Sequence, residues 1–446
     1  MTLPADILGW MEESVGPVTD ATRIPGGGMR EGWFVDAGDR QLFLRWSPNP
    51  LPQNTAFHRL ATEAEVVAAL HRAGVQVPEV HAVHPTREAV LLDRIAGDTW
   101  FYLIKDHGEQ VRVAQDFIRS LARIHTLKPD ELGIDGLGPA RSAREHALER
   151  IEGIRSRGTR ADGSMDPLVR LSADWLEAHV PDYDGPVVLV QGDTGPGNFL
   201  YRDGRVTAVL DWELCHWGDP MDDIAWLSLR SVQDTFTYLP DRLREYGELS
   251  GHRLDEDRVW YYRVFAETTM ATLNARDEDE AAGARDIGNA MIYEQLHRRL
   301  WLEALDHALG LGLTNVPEPP VDPSPVDRYY ADVLGMLRTT ADRIDDPLAL
   351  RWTKGSARVI QYLREVSTYG PGLEAAELAE IGEVLGRPLD DPVQARSELD
   401  RAFREGVVSD AEYLGCLWRR VQREDFLKRT ASGSLRRRTW PPLTEE

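Results

Sequence analysis

The strongest constraint on the fold comes from one segment of the chain, VVLVQGDTGPGNFLYRDGRVTAVLDWE. Two β-rich runs in this segment flank Asp203-Gly204, a dipeptide that strongly favours the two-residue turn of a β-hairpin. A Gly-rich loop with Asp193 and Asn198 precedes the first run, and the second run ends at Asp211. The sequence therefore predicts two polar loops that border one short hairpin.

The residue types in these two loops are those that phosphoryl transfer requires. The reaction needs a carboxylate near the attacking hydroxyl, oxygen ligands for Mg²⁺, and N–H or positive groups around the nucleotide phosphates. Asp193 stands five positions before Asn198 on the Gly-rich loop, and Asp211 follows after the hairpin. By itself Asp193 has an alternative interpretation as an ordinary loop or capping residue. The joint spacing favours a phosphotransfer site over that alternative.

Length and charge limit the other classes of function. A single hydrophobic core stops growing at roughly 250–300 residues, so a chain of 446 residues predicts more than one domain. A net charge of -23 disfavours a broad surface for nucleic acid or for an anionic membrane. The two cysteines, Cys215 and Cys416, are too few for a disulfide scaffold. With no secretion signal and no membrane-spanning apolar run, we expect a cytoplasmic protein.

The pattern along the chain predicts an α+β fold in several parts. Strand patterns and one amphipathic helix predict a β-rich N-lobe over residues 1–95, followed by a mainly helical C-lobe over 96–315 that contains both polar loops. Residues 316–326, VPEPPVDPSPV, predict a Pro-rich linker. Residues 327–446 predict a helical domain that offers a surface for a protein partner or for dimerisation, and its tail from residue 432 reads as poorly ordered.

Four motifs together resemble the aminoglycoside phosphotransferase-like superfamily, whose members are relatives of protein kinases. QGDTGPGN is similar to its H-G-D-x-x-x-x-N loop, with Gln191 in place of the usual His, and LDWE is similar to its I-D-W/F-E strand end. GDPMDDIA matches its G-D-P-x-x-D-L-A segment, and GGGMRE is similar to its G-G-x-S-R-E loop. Within this superfamily, the motif sequences most resemble those of the hydroxyacyl-CoA kinase-like branch. The likeness covers roughly residues 20 to 310.

The resemblance implies a bilobal kinase-like fold that binds ATP between its lobes, and it assigns roles to the motif residues. Asp193 would accept or orient the proton of the substrate hydroxyl as the γ-phosphoryl group leaves ATP. Asn198 and Asp211 would hold Mg²⁺, a hard cation that prefers oxygen ligands. Backbone groups in the hinge, Leu91 to Asp98, would pair with adenine.

The nucleotide side of the implied site departs from the family pattern. Lys105 is the first lysine of the chain, so the usual strand lysine is missing and Arg45 occupies its place. Glu63 on the following helix would be the ion-pair partner of Arg45, with Glu65 as the alternative. Backbone N–H groups of the Gly-rich turn would approach the phosphates because no Cβ intervenes. These glycines are Gly26, Gly27 and Gly28.

Two functions remain open at this level. The first is ATP-dependent phosphorylation of a small-molecule hydroxyl, on a hydroxyacyl-CoA or on an aminoglycoside or other amino-alcohol. The second is a nucleotide-binding pseudokinase or scaffold without turnover, which the departures at Gln191, Arg45 and Met29 motivate. Asp219 and Asp223 are interpreted as residues that cap a helix or brace the catalytic loop, outside the metal site.

Overall fold

The computed structural model describes residues 3–24, 30–49, 51, 55–274, 286–321 and 323–445. The chain forms two compact units. The first unit comprises Met1–Arg157, Trp175–Ala266 and Trp440–Glu446, and the second comprises Gly158–Asp174 and Glu267–Thr439. The Pro-rich segment 316–326 falls within the range of the second unit. The division into N-lobe, C-lobe, linker and helical domain stays a prediction.

Nine strands occur among the described residues. They are β1 Val18–Ile24, β2 Glu31–Ala37, β3 Arg40–Trp46, β4 Val80–Val83, β5 Ala89–Asp93, β6 Val188–Val190, β7 Phe199–Arg202, β8 Arg205–Val209 and β9 His216–Gly218. The first five form one antiparallel sheet in the order β1-β2-β3-β5-β4. The other four form two separate pairs, β6 with β9 and β7 with β8. The predicted β-rich N-terminal region is therefore present.

Helices make up most of the remaining described chain. They are α1 Ala5–Val15, α2 Leu60–Arg72, α3 His107–His125, α4 Pro129–Leu132, α5 Ala143–Gly158, α6 Pro167–Ala178, α7 Pro220–Gln233, α8 Leu239–Ser250, α9 Glu256–Asn274, α10 Ile287–Leu309, α11 Asp327–Ala341, α12 Pro347–Leu385, α13 Pro392–Arg404, α14 Asp410–Leu427 and α15 Arg429–Ser432. None of the described helices is long and apolar enough to cross a membrane.

The alternation of side chains along β3 decides where Arg45 points. Leu44 and Trp46 face the core cluster that includes residues of α1. Successive strand residues point to opposite faces, so Arg45 faces the other side of the sheet. Its cross-strand partner Val90 packs there with Leu60 of α2. The period of the strand thus directs the guanidinium of Arg45 towards α2.

The predicted β7–β8 hairpin is confirmed. Asp203 and Gly204 both have positive φ, 53° and 75°, as a type I′ turn requires. Phe199 lies opposite Val209, so the residues just outside the hairpin are neighbours. The backbone N–H of residue 210 donates to the carbonyl oxygen of residue 198 at 2.8 Å. The hairpin thereby brings the end of the Gly-rich loop next to the Asp211 strand end.

Helix α7 begins as the sequence predicts. Asp219 is its N-cap, and the carboxylate accepts from the backbone N–H of Met221 at 2.9 Å, with Pro220 at the first helical position. The helix is buried along most of its length. It carries Asp223 in its first turn and Arg230 in its last turn.

The expectation of a poorly ordered tail is wrong for residues 440–445. Trp440 and Leu443 are buried. The guanidinium carbon of Arg263 lies 4.2 Å from the ring of Trp260 and 4.8 Å from that of Trp440. The guanidinium also donates to the carbonyl oxygen of Pro441 at 2.9 Å. Cation–π stacking and apolar burial outweigh the local charge of the tail, and this segment belongs to the first unit.

Candidate active site

Asp193 and Asn198 meet on the Gly-rich loop. The side-chain amide of Asn198 donates to both the carbonyl oxygen and Oδ2 of Asp193, each at 2.7 Å. Gly195 and Gly197 have φ values of 141° and 96°, which side chains rarely adopt. These two glycines let the loop turn back within five residues. The spacing that the sequence displays therefore corresponds to a direct contact.

Asp223 braces the loop from helix α7. Its fully buried carboxylate accepts from the backbone N–H groups of Gln191 and Gly192 at 2.9 and 3.0 Å, and from the hydroxyl of Thr194. Nε2 of His125 lies 3.0 Å from the same carboxylate. The bracing interpretation of Asp223 thus agrees with its contacts.

The strand end at Asp211 is tied to the same loop. Gln191, which replaces the family's His, donates through Nε2 to the carbonyl oxygen of Leu210. Asp211 follows with φ 63°, a left-handed conformation that costs a non-glycine residue about 1–2 kcal/mol. Burial raises the pKa of Asp193, and the nearby charge of Asp211 adds to that rise while Arg230 opposes it. The two carboxylates are thus close enough to repel each other.

Arg45 joins three carboxylates. Its Nη1 lies 3.1 Å from Glu63, while Nη2 lies 2.8 Å from Asp211 and 2.7 Å from Glu213. Glu65, the alternative partner, instead accepts from a backbone N–H at 2.7 Å. Burial opposes the charge of Arg45, but its carboxylate neighbours outweigh burial and raise its pKa. Arg45 is therefore a permanent cation between the strand end and α2.

Arg30 is a second cation in this cluster, and sequence reasoning gave it no role. Its guanidinium is paired with Glu63, lies 3.4 Å from Glu213 and donates to the carbonyl oxygen of His58. The GGGMRE motif was the available signal, since Arg30 is its only cation. Burial raises the pKa of Glu63, and burial with repulsion from Asp211 raises that of Glu213 to about 8. Two guanidiniums thus lie among three carboxyl groups, and burial raises the pKa of two of them.

Arg230 is the other functional residue that sequence reasoning missed. Its Nε donates to Oδ1 of Asp193 at 2.6 Å, and its Nη2 contacts Oδ2. The available signal was its position, because Arg230 and Asp223 are two helical turns apart and share a face of α7. The motifs do not reach that far along the helix.

The oxygen atoms of Asn198 and Asp211 suit a hard divalent cation. Both donations of Asn198 come from Nδ2, which fixes the amide orientation and leaves Oδ1 as a ligand atom. Asp211 binds Arg45 through Oδ1, so Oδ2 has no hydrogen bond to any of the described residues. Carboxylate and amide oxygens are the ligands that Mg²⁺ prefers. The glycines predicted to bind phosphate, Gly26, Gly27 and Gly28, lie outside the described residues, as does Met29.

Comparison with known families decides the relationship of the chain. The sequence model of the Phosphotransferase enzyme family matches residues 20–259, which is more than half of the chain. The chain belongs to this family. The chain has a five-stranded antiparallel sheet followed by a mainly helical remainder, with further helices towards the C-terminus. The resemblance and the predicted fold class, a bilobal α+β kinase-like fold with additional C-terminal helices, are confirmed.

Curated relatives of the chain include acyl-CoA dehydrogenase family members. Member 11 from Rattus norvegicus is 26% identical over 229 residues, which are 48% of this chain and 28% of that protein. Member 11 from Pongo abelii is 30% identical over 210 residues, which are 44% of this chain and 26% of that protein. The chain thus spans about a quarter of the length of these relatives.

Two solved structures illustrate the structural neighbours of the chain. The choline kinase LicA from Streptococcus pneumoniae has a TM-score of 0.49 and 14% identity, and the match covers 68% of this chain and 98% of that one. A putative aminoglycoside phosphotransferase from Ralstonia eutropha has a TM-score of 0.48 and 18% identity, with 68% and 93% covered.

Proposed function

We propose that this protein transfers the γ-phosphoryl group of ATP to a hydroxyl group of a small molecule. The observation that carries the proposal is the position of Asn198. Its side-chain amide donates to the carboxylate of Asp193, and its backbone carbonyl oxygen accepts from the backbone N–H of Leu210, the residue just before Asp211. One loop and one strand end thereby bring a base and two oxygen ligands together, as phosphoryl transfer requires.

Each residue has a stated role in this proposal. Asp193 accepts the proton of the acceptor hydroxyl as the oxygen–phosphorus bond forms and the bond from phosphorus to ADP breaks. Asn198 and Asp211 hold Mg²⁺, which neutralises charge on the phosphate oxygens when bound. Arg45 contacts phosphate oxygens with its guanidinium, and Glu63 keeps that guanidinium in place.

Two further groups complete the ATP side of the proposal. The backbone N–H groups of the Gly-rich turn bind the phosphates, and the hinge from Leu91 to Asp98 pairs with adenine. The turn glycines are Gly26, Gly27 and Gly28.

Cys215 and Cys416 are both buried free thiols, which supports a reducing, cytoplasmic location.

The acceptor we favour is a hydroxyacyl-CoA. The support is the kind of relative that the chain matches, since the curated relatives are named as acyl-CoA dehydrogenase family members. An aminoglycoside or another amino-alcohol is the alternative acceptor. A panel of both classes separates them, because ATP is consumed only with members of the class that the protein phosphorylates. Each member is paired with an analogue that lacks the hydroxyl, which should not support ATP consumption.

The test is turnover by the purified protein with Mg-ATP and this panel. Asp193→Asn keeps the shape of the side chain but removes the base, so we expect a loss of about 10²–10⁴-fold in kcat. Asp241→Asn is the matched control, because Asp241 forms an exposed ion pair with Arg244 on α8. Turnover that survives Asp193→Asn would refute the assigned role.

A second measurement tests the metal ligands without turnover. ATP with Mg²⁺ should raise the melting temperature of the wild type, because a ligand that binds the folded state stabilises it. Asp211→Asn should abolish the Mg²⁺-dependent part of that rise. A rise that is identical with and without Mg²⁺ in both proteins contradicts the ligand assignment.

A nucleotide-binding pseudokinase or scaffold is the competing function. The observation that favours it is the engagement of Arg45 by three carboxylates, since its contacts with Asp211 and Glu213 must rearrange before Nη2 meets a phosphate. Metal-independent ATP binding without turnover on the whole panel would support this function. A protein partner or a second copy at the C-terminal helices belongs to the same hypothesis, and size-exclusion chromatography with light scattering measures the copy number.

A further inference from the structure

The two oxygens of Asp193 differ in how they are bonded. Oδ2 accepts from Asn198 at 2.7 Å and from Nη2 of Arg230. Oδ1 accepts only from Nε of Arg230, at 2.6 Å, among the residues that the structure describes. An ionised carboxylate has about four lone-pair sites in total, so Oδ1 keeps room for a further donor.

The Gly-rich loop is shaped around the side chain of Arg230. A Cβ atom at Gly195 would lie 2.6 Å from Cβ of Arg230, which is closer than real Cβ contacts. A Cβ at Gly197 would lie 3.7 Å from Nη1 of the same residue. A side chain at position 195 would therefore push α7 and its arginine away from Asp193, whereas a Cβ at position 197 would make an ordinary contact.

Helix α7 presents Arg230 from a fixed position. At its first turn, the buried N-cap Asp219 is paired with Arg258 at 2.8 Å. Past its midpoint, the hydroxyl of Ser228 accepts from Nε of Arg263 at 3.0 Å. A helix held at two points along its length provides a rigid support for a side chain that must position another.

The cations of the site divide the carboxylates between them. Arg30 and Arg45 pair with carboxylates on the nucleotide side, namely Glu63, Asp211 and Glu213. Arg230 pairs with Asp193. The side chains of Arg230 and Asp193 are 22% and 17% exposed, so their pair is accessible to an acceptor. Removal of Arg230 therefore leaves the ion pairs of the nucleotide side in place.

We propose that Arg230 is a positioning residue, which fixes the Asp193 carboxylate so that Oδ1 meets the acceptor hydroxyl. This inference rests on the proposed function. In the transfer, the hydroxyl proton moves to Oδ1, the hydroxyl oxygen forms a bond to phosphorus, and the bond from phosphorus to ADP breaks. The planar guanidinium matches the two oxygens of a carboxylate, which a lysine ammonium cannot do. Arg230 acts through Asp193, whereas the ion pair of Asp211 is with Arg45.

The test compares Arg230→Ala and Arg230→Lys in the full chain. A misplacement of about 1 Å costs about 10²-fold in rate, so we expect kcat of Arg230→Ala to fall by about that factor. The KM for ATP should stay within about twofold of the wild type, because the nucleotide-side ion pairs are untouched. Methylguanidinium added to Arg230→Ala should restore part of kcat. The kcat of Arg230→Lys should lie between those of Arg230→Ala and the wild type.

The control is Arg244→Ala, which removes an exposed guanidinium from the next helix and should leave kcat unchanged. Circular dichroism checks that each variant folds, and Arg230→Lys carries the comparison if Arg230→Ala unfolds. A kcat for the Arg230 variants equal to that of an active, Asp193-dependent wild type overturns this inference alone. Failure of methylguanidinium to restore any activity to a folded Arg230→Ala also overturns it. A wild type without turnover overturns both this inference and the proposed function.

Discussion

Asp223→Asn removes the charge that braces the Gly-rich loop while it keeps the size of the side chain. In the wild type, Oδ2 accepts from the N–H of Gln191 and lies 3.0 Å from Nε2 of His125. Oδ1 accepts from the N–H of Gly192 and from the hydroxyl of Thr194. An asparagine offers one acceptor oxygen, so one pair of donors must face an NH₂ group instead.

The magnitude follows from this geometry. A hydroxyl or an imidazole can rotate or change tautomer to accept from the new NH₂ group, but a backbone N–H cannot. At least one buried N–H is therefore left unpaired, at a cost of about 1–3 kcal/mol. Loss of the charge also weakens the remaining hydrogen bonds, because bonds to charged groups contribute about 1.5–3 kcal/mol and neutral ones about 0.5–1.5 kcal/mol, so the total loss is about 3–5 kcal/mol. At about 2–4 °C per kcal/mol, the melting temperature should fall by about 6–20 °C.

Thermal unfolding monitored by circular dichroism measures this shift, and hydrogen exchange of a peptide spanning residues 187–200 locates it. We expect faster exchange at Gly192 in Asp223→Asn because its N–H loses an acceptor. Asp241→Asn is the control, since removing one partner of an exposed ion pair changes stability by about 0–1 kcal/mol. A fall of less than about 2 °C with unchanged exchange would refute the bracing role.

Two further changes test other parts of the fold. Burial and the charge of Arg141 lower the pKa of His146 to about 4, and its Nε2 accepts from a backbone N–H at 2.9 Å, so only the neutral ring fits. Because the unfolded ring has its ordinary pKa of 6.5, stability should fall by about 1–3 kcal/mol as pH drops from 6.5 to 4, and urea titrations of His146→Gln should lack that fall. Gly192 has φ 82°, and in Gly192→Ala the added Cβ would collide with the carbonyl oxygen of Leu214. Urea unfolding should therefore report a larger loss of unfolding free energy for Gly192→Ala than for Gly38→Ala. The control position has φ 63° and open space, so it should lose only about 1–2 kcal/mol, and equal losses would contradict the steric argument.

The parts of the fold that the sequence predicts are those with local physical causes. The turn at Asp203-Gly204 follows from two residues that tolerate positive φ. The start of α7 follows from an aspartate cap before a proline. The direction of Arg45 follows from strand alternation, which also explains why its partner is on α2. These signals lie within a few residues of the feature that they specify.

The ion pairs that complete the site could not be predicted in the same way. Arg230 is 37 residues from Asp193 along the chain, and Arg30 is 33 residues from Glu63. Such pairs depend on tertiary packing, and many arginines offer the same charge at the level of sequence. The segment after residue 432 misled for a related reason. Its basic composition suggests disorder, whereas the burial of Trp440 depends on a surface far away in the chain.

The contact among Trp260, Arg263 and Trp440 has a consequence for when the first unit can finish folding during synthesis. Trp260 and Arg263 are synthesised well before Trp440, and the long run of the second unit is translated in between. The first unit therefore cannot close this part of its surface until the ribosome has passed residue 440. A fragment that stops at residue 315 would lack Trp440, which both Trp260 and Arg263 contact in the full chain. A short peptide of residues 440–445, supplied separately, would have the contacts needed to fill the gap.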